Sequence, residues 1–74
     1  MTSSTLTLHT AAAAGRIVGR CGAESIVAGR TDGGLLDKLV AGELRRNPEL
    51  GEQQLRSAVT TRATYLAALE RAAR

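Results

Sequence analysis

The chain has no Phe, no Trp and a single Tyr among its 74 residues. Without aromatic rings its core must be filled by ten Leu, four Val, two Ile and one Met, helped by thirteen Ala. Alanines let backbones approach closely but bury little area each, and a domain this short already buries a smaller fraction of its surface than a larger one. The same shortage argues against recognition of single strands or RNA, where bases stack on aromatic side chains. One Cys excludes an internal disulfide, and one Cys with one His cannot close a four-ligand zinc site, so no metal or cofactor is expected. No apolar run approaches the roughly 20 residues of a membrane-spanning helix. The charged start and apolar stretch of a secretory signal are missing too. Residues 1–23 hold two Arg, many Ser and Thr and no acid, a composition shared with transit peptides, yet an ordinary polar start is the simpler reading. By elimination, oligomerisation or a partner is the remaining support for so small a core. The lone thiol fits a reducing, cytoplasmic setting, or a virion if the chain is phage-encoded.

The charge that is present is positive: +3 net, with nine Arg and only Lys38 as lysine. That ratio, with the abundance of Ala and Gly, suggests a GC-rich coding sequence and says nothing physical about function. A charge of this size is compatible with nucleic acid without pointing to it.

The chain reads as one domain, residues 1–74, with a polar, frayed end over 1–4. Thr5-Leu6-Thr7-Leu8-His9 alternates polar and apolar at period two, a short strand signal. Gly15-Arg16-Ile17-Val18-Gly19-Arg20 is echoed by Ser25-Ile26-Val27-Ala28-Gly29-Arg30, and two β-branched pairs around Cys21–Glu24 suggest a hairpin. Residues 5–30 are therefore expected to form a β region. The competing reading is helical, with Gly15 and Gly19 admitting a close neighbour, but each interior glycine costs a helix roughly 1 kcal/mol. Thr31-Asp32-Gly33-Gly34 is a turn, with Thr31 or Asp32 as N-cap for a helix over 34–46 striped by Leu36, Leu39, Val40 and Leu44. Asn47-Pro48 ends that helix and starts a long one over 48–73, roughly 40 Å in length. Glu52 and Arg56, four apart, support it. The expected fold class is α+β, a short N-terminal β meander followed by a two-helix hairpin. An all-α small bundle is the alternative.

Leu55, Val59, Arg62, Leu66, Leu69 and Ala73 follow the four-three spacing of a helix seam. Arg62 either fixes register as a polar residue in a core position or, more simply, reaches solvent along its stem while Ala63 takes the core slot. The helix before Pro48 is about half as long as the one after it, so the second half of the seam needs another cover. That cover is the N-terminal segment, a second copy of the chain, or another protein. The expected partner-binding residues are Arg62, Tyr65, Leu66, Leu69 and Ala73, with amphipathic Tyr65 as anchor.

No motif names a catalytic chemistry, and the protein is expected not to be an enzyme. Cys21 and His9 are the one nucleophile-and-base couple available, and nothing in their flanks resembles a nucleophile motif. None of Glu24, Asp32, Asp37, Glu43, Glu49, Glu52 and Glu70 stands out as half of an acid–base pair. Asp32-Gly33-Gly34 is too short for a calcium loop, and Gly15-x-x-x-Gly19-Arg20 lacks the ending of a phosphate loop. The function expected first is therefore a non-enzymatic interaction or assembly module binding through its C-terminal helix. A phage or bacterial accessory protein would fit, such as a virion component or an inhibitor docking on a larger complex. The alternative is a small DNA-binding transcriptional regulator using Arg16, Arg20 and Arg30. Residues 17–30 fit a helix-turn-helix poorly, since the second helix would hold about seven residues and contain Gly29.

Overall fold

The computed structural model describes the backbone of residues 2–73 and the side chains of residues 6–73 other than Asp32. Four helices follow in order: α1 (Thr2–Cys21), α2 (Ala23–Ala28), α3 (Leu35–Arg46) and α4 (Glu52–Ala72), with one 3-10 turn at Asp32–Gly34. No strand occurs among the described residues. The α+β expectation with its β meander over 5–30 is thus overturned, and the fold is all-α. Thr2–Ser4, expected to fray, form the first turn of α1; Met1 lies outside the described residues.

The physical reason lies in which residues are buried. On a strand, Leu6 and Leu8 would share a face; on α1 both reach solvent, Leu8 at 70% exposure. The buried positions are Ala13, Ala14, Ile17 and Val18, joined by half-buried Cys21, which is a period of 3.6 and not 2. Ile17 and Val18 are neighbours and both buried, as a helix stripe allows and a one-faced strand forbids. The Ala11–Ala14 run supplies the strongest helix formers at the centre of α1, offsetting Gly15 and Gly19. Helix ends are cut where glycine takes left-handed angles: Gly22 (φ 88) separates α1 from α2, and Gly29 (φ 71) closes α2.

α3 matches its expected span, but its N-cap is Gly34 at φ 77 with no side-chain cap. Between α3 and α4 the junction is longer than expected. Asn47 opens a turn in which its Oδ1 accepts from the Glu49 N–H (3.3 Å) and its carbonyl from the Leu50 N–H (3.1 Å). Pro48 sits inside this turn, Leu50 is drawn into the core, and α4 starts only at Glu52 behind Gly51. Its 21 residues span about 30 Å, not 40. The expected Glu52–Arg56 pair forms at 3.0 Å, and Arg56 also reaches Asp37 on α3 at 2.9 Å.

α1 and α4 run in the same direction. Thr10 and Ala11 lie beside Gln54 and Ala58, and Gly15 to Gly22 lie beside Arg62 to Glu70. α3 returns antiparallel along the other side of α1, pairing Arg16 with Glu43 and His9 with Asn47. α2 packs on α4, so α4 rests mainly on α1 and α2 and only lightly on α3. The core joins α1 to Ala23, Val40, Leu50 and the α4 stripe Leu55, Val59, Ala63 and Ala67. Ile17, Leu55, Val40 and Val59 are its largest fully buried side chains, each stabilising the fold by about 1.5–3 kcal/mol.

Candidate functional site

Two cationic stripes meet where α1 and α3 lie side by side. On α1 they are Arg16 and Arg20, one turn apart; on α3 they are Lys38 and Arg46, two turns apart with Gly42 between them. The antiparallel arrangement brings all four to a shared groove of about 160 Å³, floored by Ile17, Leu39 and Gly42. Glu43 is the carboxylate within it, and it is buried.

Glu43 occupies α3's apolar stripe, three residues after Val40, so packing carries its carboxylate toward α1. There Arg16 meets it with a two-pronged bond: Nε donates to Oε2 at 2.9 Å and Nη2 to Oε1 at 2.8 Å. This planar match is the strong form of the ion pair and satisfies a carboxylate that could not otherwise be buried. The Arg16 bonds, with the charges of Arg16 and Arg46, hold the Glu43 carboxyl below the usual carboxylate range, against a smaller opposing effect of burial. Arg16 remains half-exposed, at 53% of its side chain. Ion pairs among the described residues engage Arg16 and Arg56; Arg20, Lys38 and Arg46 carry none. The groove is thus net cationic with three uncommitted donors at its rim.

Of the three arginines expected to meet nucleic acid, Arg16 and Arg20 share this groove. Arg30 does not: it follows α2 and lies with Glu24, Val27 and Arg71 near the end of α4. Sequence reading missed Lys38, Gly42, Glu43 and Arg46 as one site. A signal existed, since Glu43 interrupts an otherwise apolar stripe on its helix. The helix-turn-helix does not form, because α2 has six residues and packs against α4 with Ala23 buried.

The expected partner-binding residues lie along α4. Ala63, not Arg62, fills the core slot. Arg62 is exposed, its guanidinium over Gly15, where a methyl group would come within 3.5 Å of Nε. Leu66 is half-buried against the core, whereas Tyr65 and Leu69 are 63% and 48% exposed and Ala73 is exposed beyond the helix end. The inner stripe of the second half of α4, Ala63, Leu66 and Ala67, packs on the N-terminal segment of the same chain, α1 and α2, while its outer face is exposed.

Cys21 and His9 sit twelve residues apart on one helix, about 18 Å, and do not form a couple. Burial pushes the Cys21 thiol up, with Arg20 opposing in part. No group of three His, Cys, Asp or Glu able to hold a metal occurs among the described residues. No described helix is long and apolar enough to cross a membrane. A larger groove of about 490 Å³ between the first turns of α1 and α4 is lined by Leu6, Ala11, Gly51 and Ala58 and gathers no cluster of charged groups. No family model matches the chain, and no curated protein or solved structure is significantly similar to it.

Proposed function

We propose that this is a small, non-enzymatic DNA-binding protein that grips the phosphate backbone of a duplex through the α1–α3 groove. The observation that carries the reading is the convergence of Arg16, Arg20, Lys38 and Arg46 on one groove with three of them free of ion pairs. Duplex is favoured over single strand because neither Tyr65, on α4, nor His9 lines the groove, which leaves no ring there for bases to stack on. Backbone contacts of this kind give affinity without base readout, so a regulatory role would need a further source of specificity.

Three phosphate contacts predict a slope of log K against log salt of about −2.7, or about a 40-fold loss of affinity from 50 to 200 mM salt. Fluorescence anisotropy on a labelled 20-base-pair duplex measures it. Substituting Ala for Arg20, Lys38 or Arg46 should each flatten the slope by about 0.9. Absence of binding at low salt, or slopes unmoved by the triple variant, would refute the reading. A second reading, protein binding through α4 at Arg62, Tyr65, Leu66, Leu69 and Ala73, is favoured by Tyr65 and Leu69 standing exposed one turn apart.

A further inference from the structure

Gly42 has no conformational or packing reason to be glycine. It lies inside a regular helix, its φ is not positive, and a methyl group added there would meet nothing within 4 Å. Glycine at such a position costs α3 roughly 1 kcal/mol against alanine. By contrast, Gly22 and Gly29 supply left-handed angles, and Gly15 underlies the Arg62 guanidinium. Gly19 is also open, but it lines the α1–α4 side beside Arg62 and Leu66. Only Gly42 is flanked one turn away on each side by a cation of its own helix, Lys38 and Arg46, while Arg16 and Arg20 line the same groove from α1.

We infer that Gly42 is the seat of a phosphate group: the missing side chain leaves room for the anion to settle on α3 between Lys38 and Arg46, with Arg20 opposite. This rests on the DNA-binding reading and names the position within it where the backbone docks. The size suits the ligand. A groove of about 160 Å³ holds roughly five water volumes, room for a tetrahedral anion but not for the drug-sized molecules of larger pockets. Close approach of a ligand to the backbone is one of the standing uses of glycine. Glu43 does not oppose the anion with a full charge, because both of its oxygens are engaged by Arg16.

The test compares Gly42→Ala, Gly42→Leu and the control Gly19→Ala with the unaltered protein. Thermal unfolding is followed by circular dichroism and duplex affinity by anisotropy. A parallel titration with inorganic phosphate at constant ionic strength is read at the residue 42 amide by NMR. All three substitutions should raise the melting temperature. Gly42→Leu should weaken duplex binding about tenfold, as expected when charge-assisted phosphate contacts are pushed out, with Gly42→Ala between and Gly19→Ala unchanged. If the duplex binds and Gly42→Leu binds equally well, the seat is wrong and the DNA reading stands. If the unaltered protein binds no duplex but inorganic phosphate saturates a shift at the Gly42 amide that Gly42→Leu abolishes, the DNA reading falls and the seat is a free-phosphate site. No binding of either kind overturns both.

Discussion

At the scale of single residues, the most consequential contact joins positions 27 apart, Arg16 and Glu43. Glu43→Gln keeps the shape and removes the charge. Because Arg16 is half-exposed and solvent screens it, the expected loss at neutral pH is about 1 kcal/mol. For a protein of this size that lowers the melting temperature by about 4–8 °C. The folded Glu43 carboxyl is held below its unfolded value, so its contribution is fully present above the unfolded value near about pH 4.3. It is lost as pH falls through the lower folded value. The gap between Glu43→Gln and the unaltered protein should therefore close in acid, which a pH series of thermal melts reads directly. A gap independent of pH would mean that Glu43 acts through packing alone.

At the scale of helices, α1 and α4 supply most of the core, and apart from Leu55 their buried side chains are alanine or β-branched. Leu55 is fully buried, and Leu55→Ala should cost about 2–5 kcal/mol. That is a large share of the about 4–11 kcal/mol expected for a domain of this length, so urea denaturation should show a clearly lowered midpoint with an unchanged slope. Gly19→Ala runs the other way: with open space at the site, helix propensity alone should add about 0.5–1 kcal/mol. Much of α3 and α4 was legible in the sequence, because apolar stripes, Asn47-Pro48 and the Glu52–Arg56 spacing are local signals. α1 was not, because its glycines and Ile-Val pairs carry strand-like propensities over a few residues. Burial of Ile17 and Val18 in the core shared with α3 and α4 outweighs them, and no local window contains those partners. The seam departs from the sequence reading at its middle: the buried stripe runs Leu55, Val59, Ala63 and Ala67 in steps of four, turning about 40° around the helix at each step, so that Ala63 and not Arg62 faces inward.

At the scale of the whole molecule, the Cα framework is a thin body of 40 × 29 × 15 Å in which one stripe of α4 is buried from within the chain and the opposite face is exposed. This separates two neighbours on the seam. Leu66→Asp would place a charge against the core and should unfold the protein, whereas Leu69→Asp should change stability by less than about 0.5 kcal/mol. Sedimentation of the folded Leu69→Asp variant beside the unaltered protein then decides whether the outer face of α4, with Tyr65 and Leu69, is an interface. A shift to a smaller species would establish self-association there, and identical profiles would assign those residues to ordinary surface.

Sequence by itself determined the absence of an internal disulfide, the aliphatic and alanine-rich character of the core, the helix before Asn47 and the helix after it, and the supply of arginine. Tertiary structure decided that residues 5–30 are helical, that Ala63 and not Arg62 faces the core, and that Arg30 lies apart from Arg16 and Arg20. It also decided that Arg16, Arg20, Lys38 and Arg46 surround one glycine. The division has one physical cause. Propensity, capping and periodicity act over a turn or two and are written into neighbouring residues. Burial and the meeting of charges from different helices depend on direction and register between segments that the chain brings together only when it folds.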